Sequence, residues 1–120
     1  MRRNKKSLGN LGEDLAVQYL MKNNYKILKR NYRHLSGEID IIASKDDILI
    51  FVEVKTARTK SFGNPETWVN EHKQQQIGRV AEIYLQENEI YDVDCRFDVI
   101  AITFVQNQPR IKHIKNAFWL

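Results

Sequence analysis

The stretch from Gly37 to Thr56, GEIDIIASKDDILIFVEVKT, constrains the fold more than any other part of this 120-residue chain. Two runs rich in β-branched residues flank a short polar break at Lys45-Asp46, which is a hairpin signal. Side chains alternate faces along a strand, so Val52 and Val54 share one face while Glu53 and Lys55 share the other. Glu38 and Asp40 likewise point the same way as each other. Both acidic sets fall on one face when paired residue numbers sum to an odd value. A two-residue turn at Lys45-Asp46 then pairs Glu38 with Glu53 and Asp40 with Phe51, whereas a four-residue turn pairs Asp40 directly with Glu53. In either register the two carboxylates start from Cβ atoms roughly 5–8 Å apart.

Like charges that close destabilise a sheet unless something compensates them. Lys55, two residues along on the same face, offers one positive charge, and a divalent cation would offer two more. Hard oxygen donors from one or two carboxylates plus water suit Mg²⁺. The alternative is a solvent-facing pair with Lys55 as its surface partner. Ile42, Leu49 and Phe51 share that face, however, and place the charges at the end of an apolar surface.

Upstream, Leu8, Leu11, Leu15, Ala16, Tyr19 and Leu20 recur at helical spacing and predict a helix from Leu8 to about Met21, ended by Asn23-Asn24. YKILKRNYR follows as a strand with Tyr25, Ile27 and Leu28 facing inward. Residues 57–67, with Gly63 and Pro65, read as a polar loop. A second helix is expected from near Trp68 or Asn70 to Glu87, its stripe formed by Val69, Ile77, Val80, Ala81, Tyr84 and Leu85. CRFDVIAITFV reads as an interior strand and RIKHIKNAF, after a turn at Asn107 to Pro109, as an edge strand. The pattern predicts an α/β fold: a mixed sheet of four to five strands flanked by helices, in the order α-β-β-β-α-β(-β). One domain over residues 1–120 is expected, with residues 1–7 as a basic arm.

A hydrophobic content of 42% supplies one core. No apolar run approaches a membrane span, and the basic start lacks the apolar segment of a secretory signal, so a cytoplasmic protein without a membrane partner is expected. Cys95, the single cysteine, excludes an intramolecular disulfide framework and reads as a small buried hydrophobe. The formal charge of +4 favours a polyanionic partner. Arg2, Arg3, Lys5 and Lys6 cluster at the N-terminus, and Lys26, Lys29, Arg30 and Arg33 follow the first helix; either group also reads as a solvated face. Three further residues stand near the candidate site: Glu13 beside the buried stripe of helix one, Lys73 beside that of helix two, and Asp98, a potential partner of Arg96.

Glu13 in GEDLA, then GEID, then VEVK, then a helix near Lys73 and the strand RFDVI together resemble the uncharacterised bacterial YraN-like family. That family is placed in the PD-(D/E)XK, restriction-endonuclease-like superfamily and is similar to archaeal Holliday-junction resolvases. The resemblance spans Leu8 to about Val105. It implies that Asp40 and Glu53 ligate Mg²⁺ (Mn²⁺ as substitute), with the backbone carbonyl of Val54 as a further ligand. It also implies that Lys55 orients or deprotonates the attacking water, and that Glu13 acts on a metal directly or through water. Ile39 stands where the motif's name has proline.

The function so implied is a metal-dependent endonuclease acting on nucleic acid, DNA ahead of RNA, including branched DNA. Lys73, Arg58, Lys60, Arg33, Arg2 and Arg3 are the candidate phosphate contacts. Junction-cleaving relatives act as dimers, which implies a homodimer. A nucleic-acid-binding module without cleavage and a protein-interaction domain using loop 57–67 with Phe62 and Trp68 are the rival readings; Phe118 and Trp119 read as a homodimer contact or, more simply, as core packing.

Overall fold

The structure is a computed structural model that describes residues 7–35, 37–58 and 68–118. Helix α1 spans Leu8–Lys22 and is followed by strands β1 (Lys26–His34), β2 (Gly37–Lys45) and β3 (Ile48–Ala57). Helix α2 (Glu71–Glu87) then leads to β4 (Asp94–Val105) and β5 (Gln108–Ile114). The strands lie in sequence order in one five-stranded sheet, antiparallel except where β4 runs parallel to β3 across the α2 crossover. This is the α/β order expected from the sequence.

Both helices start on side-chain caps. Ser7 Oγ accepts from the Asn10 amide and Asn70 Oδ1 from the Lys73 amide, each satisfying a donor the first turn leaves unpaired. Asn23 and Asn88 close the other ends. The helices cover opposite faces of the sheet. Ala16 and Leu20 of α1 pack on Ile41, Ala43, Ile50 and Val52, while Ile77, Val80, Ala81 and Tyr84 of α2 pack on Ile42, Leu49 and Phe51. The alternation of the hairpin is thus expressed as two apolar faces, one for each helix.

Several sequence expectations shift. The hairpin turn is Asp46-Asp47, one residue later than Lys45-Asp46, and both residues have positive φ, 52° and 64°. That handedness matches a type I′ turn, which aspartate tolerates better than most residues. The register remains odd, with Lys45 opposite Ile48 and Ile41 opposite Val52. Leu28 is exposed because the β1–β2 register slips between Ile27 and Lys29, leaving Leu28 as the extra residue of a bulge. Leu11 is 40% exposed, since the buried stripe of α1 runs through Gly12, Glu13, Ala16 and Leu20. Cys95 is exposed at the start of β4, before that strand enters the core. The β4–β5 turn is Gln106-Asn107, so Pro109 lies within the edge strand, where its missing N–H is harmless.

Phe118 is buried and stacks on Phe97, which stacks in turn on Phe51. The core-packing alternative therefore holds for Phe118. Trp119, Phe62, Arg2, Arg3, Lys5, Lys6 and Lys60 lie outside the described residues. Among the described residues no helix is long and apolar enough to cross a membrane.

Candidate active site

The site forms where the β2–β3 ladder ends. Its last paired residues are Ile41 and Val52, and Asp40 and Glu53 are the first residues beyond it, in an odd register, though not themselves paired. Beyond this point the Val54 amide donates to Asp40 Oδ2 at 2.8 Å. A carboxylate thus replaces a strand partner. The backbone bends here as well: Asn31, between the β1 residues paired with Ile41 and Ile39, has φ 52°.

The consequence is a change of face on both strands. Ile41 packs toward α1 but Ile39 toward α2; likewise Arg30 reaches the α1 acids whereas Tyr32 packs edge-on against Tyr84 of α2. Asp40 stands at this switch. It lines a cavity of about 300 Å³ with Gly9, Asn10, Glu13, Asn31, Arg33, Glu38, Val54 and Thr56, while its charge also acts on Glu53.

Electrostatically the pair is strained. Burial, then the Glu53 charge, push the Asp40 carboxyl up to about 7, against the lowering effect of the Val54 amide. Burial also raises Glu53, with Lys73 and the hydrogen bond to Asp40 only partly offsetting it. Among the described residues, the ion-pair partner of these two carboxylates is Lys73. Lys73 Nζ lies 3.6 Å from Glu53 Oε2. That is the ammonium on the pair; Lys55, expected in this role, donates instead to the Trp68 carbonyl at 3.1 Å.

Glu13 is buried on α1, closer to the core than its predicted place beside the stripe. It accepts from Arg30 Nη2 at 3.1 Å and from Asn31 Nδ2 at 2.9 Å. It reaches this depth because α1 presses against β3 at Gly12, where an added Cβ would lie 2.0 Å from Thr56 Oγ1. Arg33 pairs with Glu38 at 3.5 Å on the cavity rim. Arg58 lies apart, lining a second cavity with Leu8, Leu11, Phe104 and Asn107. Asn31 is a site residue that spacing did not reveal; its only sequence signal is that asparagine tolerates left-handed backbone.

Asp98 belongs to a different cluster. It is fully buried and accepts from Arg96 Nε and Nη2 at 2.8 and 2.9 Å and from the Asn116 amide at 3.1 Å, and its Oδ2 lies 2.7 Å from His113 Nε2. Its expected pairing with Arg96 is observed.

The donor set suits a hard divalent cation. Asp40 and Glu53 supply carboxylate oxygens with less positive charge beside them than two anions require, and Val54, whose amide already orients Asp40, carries the adjacent carbonyl. Among the described residues no three His, Cys, Asp or Glu side chains gather as one metal group. Any ion held here would draw on this pair, backbone and water, with Glu13 drawn off by Arg30 and Asn31.

Comparison with known proteins gives these residues a family. The model of an uncharacterised protein family, UPF0102, matches residues 12–102, from Gly12 through Asp40, Glu53 and Lys73 to β4. The chain belongs to that family. A UPF0102 protein of Geobacter metallireducens is 49% identical over 115 residues, covering 96% of this chain and 94% of its own length. Another from Geobacter sulfurreducens is 49% identical over 116 residues, covering 96% and 91%. A third, from Alkaliphilus oremlandii, is 47% identical over 115 residues, covering 94% and 98%. The family expected from the sequence motifs is thereby established at the level of these uncharacterised proteins.

Proposed function

We propose that this UPF0102 protein is a metal-dependent endonuclease of the PD-(D/E)XK type that hydrolyses phosphodiester bonds in DNA, branched or otherwise structured DNA included. The observation that carries this reading is the interacting Asp40–Glu53 pair just beyond the end of a ladder, with Asp40 raised to about 7 and Lys73 beside Glu53. Clustered carboxylates with perturbed acidity mark functional sites more often than structural ones.

In this reading Asp40 and Glu53, with the Val54 carbonyl, hold Mg²⁺ or Mn²⁺. Such an ion supplies a lowered pKa for water and neutralises charge growing on the phosphate oxygens. The chain's own residues do the rest. The Val54 amide fixes the Asp40 carboxylate, Lys73 neutralises part of Glu53, and Arg33 on the cavity rim faces an incoming phosphate. Lys55 acts once its ammonium leaves the Trp68 carbonyl, from the same face as Glu53.

A second reading, a nucleic-acid-binding module that does not cleave, draws on the engagement of Glu13 by Arg30 and Asn31 and of Lys55 by Trp68. The two separate in one experiment. Linear, flapped and four-way DNA, with RNA alongside, are incubated with the protein in Mg²⁺ and in Mn²⁺. The nuclease reading expects metal-dependent cleavage that falls about 100-fold or more in Asp40→Asn and in Lys55→Ala. Cleavage surviving both substitutions, or binding without any cleavage, rejects it.

A further inference from the structure

Strand pairing extends the site across the sheet in a way no motif marks. Lys55 lies beside Ala101 of β4, and Ala101 beside Lys112 of β5. One step along, Ala57 lies beside Thr103 and Thr103 beside Arg110. Paired residues share a face, so Glu53, Lys55, Lys112 and Arg110 all stand on the α2 side. Contacts made by Trp68 agree: its carbonyl accepts from Lys55 and its ring lies 5.8 Å from Lys112 Nζ. Lys112 and Arg110 are exposed, and no carboxylate among the described residues lies within ion-pair distance of Lys55, Lys112 or Arg110.

Two lysines thus converge on one tryptophan with no anion between them among the described residues, although like charges brought together cost energy unless compensated. Strands are spaced about 4.8 Å apart, which puts the β5 row about 10 Å sideways from β3 and begins it one pleat beyond Glu53. That offset matches about three to four steps of a nucleic-acid strand at roughly 3.4 Å each. The geometry points to Lys112 and Arg110 of edge strand β5 as a phosphate lane: they hold the sugar-phosphate backbone of the DNA strand a few nucleotides from the bond at Asp40 and Glu53. This rests on the nuclease reading and adds to it residues outside every motif. Trp68 seats the Lys112 stem and keeps its ammonium beside the lane.

The test is binding of fluorescein-labelled duplex and four-way DNA, followed by anisotropy between about 50 and 200 mM salt. It is run in the Asp40→Asn background, so that binding is read without cleavage. Substituting Lys112→Gln and Arg110→Gln together is expected to lower the slope of log K against log salt by about 1.8, about 0.9 for each lost phosphate contact, and to weaken binding about tenfold. Lys112→Arg restores the slope, and the distant pair Lys22→Gln and Arg79→Gln leaves it unchanged. Lys112→Met retains the aliphatic stem over Trp68 and serves if the double variant unfolds. Slope and affinity unchanged in these variants, with the parent binding DNA normally, overturn the lane and leave the nuclease reading standing. A parent that binds no DNA, from a wild type that cleaves none, overturns both.

Discussion

Asp98 and Asp40 occupy neighbouring regions of one sheet, the first fully buried and the second half-buried at a cavity, and their surroundings treat the negative charge in opposite ways. Around Asp98, burial by itself would raise the pKa, yet hydrogen bonds from His113, Arg96 and the Asn116 amide outweigh it and hold the carboxyl below its ordinary value. Tyr19 from α1 reaches His113 Nδ1 at 3.1 Å and Tyr25 accepts from Arg96, so the cluster ties α1, β4, β5 and the segment after β5 together. Around Asp40 a second carboxylate takes the place of the arginine, and the pKa moves up. A buried acid that serves the fold is surrounded by donors. One left short of positive charge, like Asp40, fits the cation proposed for it.

The sharpest way to break this contrast is to remove Asp98. Asp98→Ala leaves Arg96, whose side chain is only 16% exposed, without its anion, a change that costs about 3–5 kcal/mol. Urea unfolding should show a loss of that size; a change under about 1 kcal/mol would make Asp98 no more structural than Asp40. Gly12→Ala comes next. The new methyl meets Thr56, so a loss of about 1–3 kcal/mol is expected, recovered in part by adding Thr56→Ala. Equal losses in the single and double variants would place the damage elsewhere.

Asp40→Asn should act in the other direction. The folded pKa of Asp40, about 7, exceeds the unfolded value near 3.9, so its protonation favours the folded state at low pH and that advantage fades between about pH 4 and 7. Asparagine keeps an acceptor for the Val54 amide but carries no charge. Without metal it should therefore raise stability by roughly 1–2 kcal/mol at pH 7.5 and by little at pH 4.5, read as melting temperature across pH. A variant less stable than wild type at pH 7.5 would show that the pair is structural. Asp98 gives the opposite pH trend: its depressed pKa contributes stability above the unfolded value, lost as pH falls through the folded one. The smallest effect is expected from Tyr19→Phe, which removes one hydroxyl from His113 and should cost about 0.5–1.5 kcal/mol in the same unfolding assay, with the proposed DNA cleavage unaffected.

The two clusters also differ in how far the sequence disclosed them. Asp40, Glu53 and Lys55 lie on adjacent strands of one hairpin, where period-two alternation and an odd register suffice to put them together. The helices were legible for a similar reason: their stripes and the asparagines at Asn23 and Asn70 are local signals. Asp98 drew notice only for Arg96, two residues away, because His113, Tyr19 and Tyr25 reach it from three other segments that no periodicity links. Leu28 and Leu11 were misplaced where a bulge and a buried stripe running through Gly12 and Glu13 override simple spacing. The face switch at Asn31 and Asp40 likewise depends on one left-handed residue, which composition cannot locate.

Asp46-Asp47 sits far from any proposed chemistry, about 17–20 Å along the hairpin from Asp40 at roughly 3.4 Å per residue. Its two left-handed residues nonetheless act as a length standard for the site. Deleting one of them, or substituting a β-branched residue that resists positive φ, favours a slip by one residue, which would carry Asp40 to the opposite side of the sheet from Glu53. Random mutagenesis scored for loss of the site's activity should therefore return hits at this distant turn in protein that still folds. Those hits would be errors of alignment, with every residue of the site intact.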